Sequence, residues 1–160
     1  MKYFAILSVL VLIVTLVGVG YLYMTANIYV SGIGVVAQEA SSDLPRFDEL
    51  STQLRLGAVT GTAYVPAQEL AGAENYKFLT YTVRLKNDCA VPADMIELQV
   101  TPMAGDVLQI GSFQDVKLPA GQTVDVYATI LTDVNMHPIR EVTITYYIWG
   151  VPFKLKTTIK

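Results

Sequence analysis

The stretch Val142-Thr143-Ile144-Thr145-Tyr146-Tyr147-Ile148-Trp149-Gly150-Val151-Pro152-Phe153-Lys154-Leu155-Lys156 decides the fold class. Val142, Ile144, Tyr146 and Ile148 alternate with polar or aromatic residues, and Val151, Phe153, Leu155 and Ile159 do the same after Gly150. A period of two places one set of side chains on a buried face and the other in water. Gly150 lies between the two runs and marks a hairpin turn.

The same pattern recurs upstream. Leu79, Tyr81, Val83 and Leu85 alternate with Thr80, Thr82, Arg84 and Lys86. Ile96, Leu98 and Val100 alternate with Glu97 and Gln99, and Val124, Val126, Ala128 and Ile130 with Asp125, Tyr127 and Thr129. Turn-forming residues separate the runs: Asn87-Asp88, Ala104-Gly105-Asp106, Pro119-Ala120-Gly121 and Asn135-Met136-His137-Pro138. Short half-buried strands divided in this way predict an all-β, antiparallel β-sandwich of the immunoglobulin or fibronectin III kind.

Two weaker segments, Ile28 to Ala37 and Ala58 to Val65, read as strands interrupted by Gly32, Gly34 and Gly61. Between them, Phe47, Leu50 and Leu54 recur at helical spacing and Pro45 suits a first helical turn. A short amphipathic helix packed on one end of the sandwich is expected there.

Before all of this stands an apolar run from Phe4 to Met24 without a charge. At about 1.5 Å of rise per residue such a helix is roughly 31 Å long, matching a bilayer's hydrocarbon core. Secretory signal peptides have shorter apolar cores and a small-residue cleavage site. Met24-Thr25-Ala26 offers a bulky Met, and Val35-Val36-Ala37 lies well past the run. The expected division is an anchor over residues 1–26 and an extracytoplasmic domain over 27–160, with cleavage as the alternative. Lys2 precedes the run, whereas Glu39 and Asp43 are the first charges after it, which predicts a cytoplasmic N-terminus. Tyr21 and Tyr23 fall where interfacial aromatics belong. A strand starting near Ile28 leaves only Thr25-Ala26-Asn27 as a connection, so the domain is expected against the membrane without a stalk.

The 160-residue chain carries a net charge of −3 and a single cysteine. Intramolecular disulfides are excluded, and no basic patch suggests nucleic acid. With one Cys and one His, the usual nitrogen–sulfur zinc site lacks ligands. His-Glu-x-x-His, Walker A and Gly-x-Ser-x-Gly motifs are missing from the sequence. The residual chemistries are a Cys89–His137 dyad and a partial calcium site from Asn87, Asp88 and Asp94. Their bland counterparts are a structural thiol, a solvated turn histidine and turn-forming Asx residues. No catalytic residue, cofactor or metal is expected.

Tyr127, Tyr147 and Trp149 fall opposite the Val/Ile stripes of their strands. Aromatics on a solvent face are enriched at binding sites, so the three form the expected interaction face for a protein or glycan. Cross-strand pairing that stabilises the sheet is the alternative.

Residues 76–160 also resemble the LEA14/WHy (water stress and hypersensitive response) group of β-sandwich domains. The matching stretches are Val83-Arg84-Leu85-Lys86-Asn87, Pro119-Ala120-Gly121-Gln122-Thr123-Val124-Asp125-Val126 and Tyr146-Tyr147-Ile148-Trp149-Gly150-Val151-Pro152-Phe153. Asp88 stands where that group has the proline of an Asn-Pro turn. The resemblance implies a sandwich fold, often with an N-terminal anchor. The expected role is a non-enzymatic, membrane-anchored interaction or structural module of the cell envelope. The alternatives are a pilin-like or secretion-associated subunit of an envelope machine, or a metal-binding or Cys/His enzyme domain. A pilin leader-peptidase site is missing from the sequence before Met24.

Overall fold

The computed structural model describes residues 2–24, 27–111 and 113–160. Helix α1 spans Lys2–Met24, and Tyr3–Met24 is long and apolar enough to cross a membrane or serve as a signal sequence. Thr25 and Ala26, where the boundary between anchor and domain was placed, lie outside the described residues.

The period-two runs become strands. In chain order the domain contains β1 (Ile28–Glu39), α2 (Leu44–Leu56), β2 (Thr62–Ala63), β3 (Tyr76–Asn87), β4 (Asp94–Val100), β5 (Asp106–Ile110), β6 (Phe113–Gln114), β7 (Thr123–Asp133), β8 (Arg140–Ile148) and β9 (Val151–Ile159). They form two antiparallel sheets, ordered β1-β3-β7-β5-β2 and β6-β4-β8-β9. The sheets share one apolar layer. Leu79, Tyr81, Val83 and Leu85 of β3 and Val126, Ala128 and Ile130 of β7 meet Ile96, Leu98 and Val100 of β4 and Val142, Ile144, Tyr146 and Ile148 of β8. All fourteen belong to the predicted stripes. Burial of each aliphatic side chain contributes about 1.5–3 kcal/mol.

Strand β1 pairs with β3 along almost its whole length, Ile28 opposite Asn87 and Glu39 opposite Lys77. Its apolar residues change parity: Ile28 and Val30 are even-numbered, Ile33 and Val35 odd. A bulge between Val30 and Gly32 absorbs the extra residue, so Val30 faces Leu85, while Ile33 faces Val83 and Val35 faces Tyr81. Without the bulge, Gly32 and Gly34 would point inward and leave holes.

Helix α2 forms as expected, with Pro45 in its first turn and Phe47, Leu50 and Leu54 buried. Its seat differs in detail from the predicted one. It covers the outer face of the larger sheet at one end, packing with Phe78, Val107, Leu108 and Leu131 in a second apolar cluster. This second layer explains why β5 escapes period-two reading. Asp106, Val107, Leu108 and Gln109 are all buried, since both faces of β5 are covered.

The Ala58–Val65 segment is mostly irregular, and only Thr62–Ala63 pairs, with β5. Gly61 crosses so close to that strand that a Cβ would collide with the Gln109 carbonyl oxygen. At the other margin β9 is an edge strand, and its predicted inner face is incompletely covered. Val151 is exposed, Phe153 and Leu155 are half-buried, and only Ile159 is fully buried.

Asn27 is hydrogen-bonded to the domain. Its backbone N–H donates to Cys89 Sγ at 3.0 Å, and its carbonyl accepts from Asp88 N–H at 3.0 Å. The Tyr23 ring lies 5.2 Å from that of Phe153 on β9, which stacks in turn on Tyr146. The end of α1 therefore packs against the domain.

Candidate functional surface

Cross-strand register arranges the outer face of the larger sheet in rows. One row runs Gly34, Thr82, Tyr127 across β1, β3 and β7, and the next runs Gly32, Arg84, Asp125. Helix α2 covers the Phe78–Leu131 end of this face and leaves these rows open. The two glycines contribute no side chains, so a shallow depression of about 220 Å³ lies between β1 and the Arg84–Asp125 pair. Tyr127 stands beside it, 55% exposed.

Arg84 and Asp125 are directly opposite and pair in two-pronged fashion. Nε donates to Oδ1 at 2.7 Å and Nη2 to Oδ2 at 2.8 Å. The hydrogen bond from Arg84 holds the Asp125 carboxyl below the usual carboxylate range, and the same bond raises the guanidinium. Both groups are exposed, so the pair fixes local geometry more than overall stability.

The three aromatics predicted as one face are divided. Tyr127 projects from β7 in the five-stranded sheet, and Tyr147 from β8 in the four-stranded sheet, each away from the shared core. Strand alternation correctly predicts that both point outward, but the two sheets stack, so their outward directions oppose. Trp149 belongs to neither face. It occupies the β8–β9 turn, 58% exposed, with φ 51°.

The residual chemistries are not assembled. Cys89 follows the C-terminal end of β3, whereas His137 follows Asp133, the partner of Tyr76 at the other end of that strand. A strand of this length holds them roughly 30 Å apart. Cys89 is buried with a free thiol, and His137 is exposed in its turn. The Asn87 amide is committed to the loop it begins. Nδ2 donates to the carbonyls of Val91 (2.9 Å) and Leu118 (3.0 Å), and Oδ1 accepts from Cys89 N–H (2.8 Å). Asp88 lies 3.4 Å from Lys86 Nζ. Asp94 keeps a buried Oδ1 without a hydrogen-bond partner among the described residues. Within those residues no group of three His, Cys, Asp or Glu side chains could hold a metal.

A buried polar cluster between the sheets was not anticipated. Arg140 of β8 donates from Nη2 to Asp106 Oδ1 at 2.8 Å and from Nε to Oδ2 at 3.1 Å. Its Nη1 donates to the carbonyls of His137 (2.7 Å) and Ile139 (2.9 Å). Nearby, Gln109 Oε1 accepts from Val100 N–H at 2.8 Å and Nε2 donates to the Leu98 carbonyl at 2.8 Å, stitching β5 to β4. The Tyr64 hydroxyl lies 2.7 Å from Gln109 Oε1 and 3.0 Å from the Val100 carbonyl, and donates to one of them. Tyr81 donates to the Pro138 carbonyl at 2.8 Å, and burial pushes its phenol up to about 12. The charges compensate one another and neither side chain reaches solvent, so the cluster's chemistry is that of a structural cross-link.

No family model matches this chain, and no curated protein matches it. Two solved structures are similar in outline. A FixG-related protein from Vibrio parahaemolyticus is 9% identical with a TM-score of 0.35, covering 80% of this chain and 93% of its own. The ApaA protein from Bordetella pertussis is 17% identical with a TM-score of 0.36, covering 84% of this chain and 91% of its own. At these values neither likeness transfers a function.

Proposed function

We propose that this chain is a single-pass membrane protein of the cell envelope. Its non-enzymatic domain, an immunoglobulin- or fibronectin III-like sandwich related in plan to the LEA14/WHy group, stands outside the membrane and binds a protein partner. The partner contacts the open half of the larger sheet's outer face, around Tyr127 and the Arg84–Asp125 pair. The observation that carries this reading is the exposed phenol beside a trough floored by Gly32 and Gly34. An aromatic projecting next to a concavity can anchor a partner's side chain at low entropic cost. Support for the tether comes from the apolar helix and the Asn27 contacts that leave no stalk.

The test places a photo-crosslinking phenylalanine derivative at Tyr127 or Gln99 in the full-length chain in native membranes. A discrete adduct from position 127, and none from Gln99 on the other sheet, supports the reading. Equal adducts from both positions, or none, overturn it. Protease accessibility of the domain in intact cells against lysed cells tests the orientation.

A further inference from the structure

Among the described residues two non-glycine positions have positive φ: Met95 at 49° and Trp149 at 51°. Such residues rarely adopt this conformation, and departures cluster where function needs them. Both side chains are apolar and exposed, Trp149 by 58% and Met95 by 40%. Both also lie at the same end of the domain. Met95 follows Asp94, which pairs with Tyr147, two residues before Trp149. Trp149 and Gly150, at φ 77°, form the two-residue turn between Ile148 and Val151, a geometry normally given to Asn-Gly. Val151, the next residue, is 42% exposed.

This end is the one that meets α1. Phe153, two residues past Val151, is the ring that Tyr23 packs against, and Asn27 is bonded to Cys89 there. Tyr29 also emerges at this end, with Lys86 Nζ 6.0 Å from its ring centroid. Exposed Trp, Tyr, Met and Val side chains beside the end of an apolar helix have the composition of a membrane interface, and Lys86, Lys117 and Lys154 can meet lipid phosphates. Asp88 and Asp94 are opposing charges at this end.

We infer that the β8–β9 tip, with Trp149, Val151 and the neighbouring Met95, inserts into the headgroup region of the bilayer that holds α1. The domain then has two membrane attachments, one covalent through α1 and one through the tip. This inference rests on the anchored reading proposed above.

Trp149 is the only tryptophan in the chain, so it reports its own position. The full-length protein is reconstituted into phosphatidylcholine–phosphatidylglycerol vesicles whose lipids carry bromine high on the acyl chain or near its end. The expected result is loss of most Trp149 emission with shallow bromine, less with deep bromine, and protection from aqueous iodide. A variant with Met95→Asp and Val151→Asp is expected to remain with the vesicles on flotation but to lose bromine quenching. Vesicle-bound protein whose Trp149 is quenched by iodide and not by bromine overturns the tip insertion and leaves the anchor standing. Failure of the chain to float overturns both. Quenching unchanged in the double variant overturns the tip as the inserting unit.

Discussion

Arg140 and Asp106 meet through two hydrogen bonds, 2.8 and 3.1 Å, at a point where neither side chain reaches solvent. One residue belongs to each sheet, so the pair ties the two layers together. Removing one partner leaves an uncompensated buried charge. Arg140→Met is expected to cost about 3–5 kcal/mol, whereas Arg140→Met with Asp106→Leu recovers much of that loss. Denaturant unfolding of the full chain in detergent, followed by circular dichroism, measures both.

Gln109 bonds the β4 backbone through both ends of its amide, with the Tyr64 hydroxyl beside its oxygen. Gln109→Met strands the Val100 N–H and the Leu98 carbonyl in the core. The expected loss is about 2–4 kcal/mol from two unsatisfied groups. Tyr64→Phe, which removes a single donor, is expected to cost about 1 kcal/mol. Equal losses from the two substitutions would contradict the assigned network.

Burial raises the Tyr81 phenol to about 12 and also raises Tyr64. Each folded-state value lies above the unfolded one near 10, so the folded state retains protons that the unfolded state releases. The associated stability is fully present below pH 10 and is lost as pH climbs toward 12. Stability measured against pH should bend downward in that window, and the Tyr81→Phe with Tyr64→Phe variant should bend less.

Tyr127 rests on the sheet surface, so its removal should separate binding from folding. Tyr127→Ala is expected to change stability by no more than about 0.5 kcal/mol while abolishing the adduct made from a neighbouring crosslinker at Thr82. A large fall in stability would reassign the ring to a structural role.

Leu54 is the most deeply buried residue of α2. Leu54→Ala is expected to cost about 2–5 kcal/mol through lost burial and a residual cavity. Gly61→Ala should also destabilise, because its Cβ would collide with backbone that cannot withdraw. Both are measured in the same unfolding experiment.

What could be read from the chain follows the physics of half-burial. Strands β4 and β8 have one wet face, as do β3 and β7 beyond the end that α2 covers, so Leu79, Ile96, Val126 and Ile144 stood out by alternation. Strand β5 has none, and its Asp106 looked like part of a surface turn. Its partner Arg140 is 34 positions away, and local pattern carries no sign of such a pairing. The outward direction of Tyr127 and Tyr147 was legible. Their separation was not, because alternation fixes the face of a strand but not the sheet it joins. Trp149 looked like a strand residue because a tryptophan in a left-handed turn position goes against turn preference.

The pairing of β1 with β3 also sets how the protein bears load. The strand that follows the apolar helix, β1, is hydrogen-bonded along almost its whole length to β3, an inner strand of the larger sheet. In the anchored, partner-binding arrangement proposed above, tension directed along β1 would shear its rungs together instead of peeling them one by one. Such an anchor would be joined to the domain by a lap joint, which resists a steady pull better than an attachment at a hairpin end.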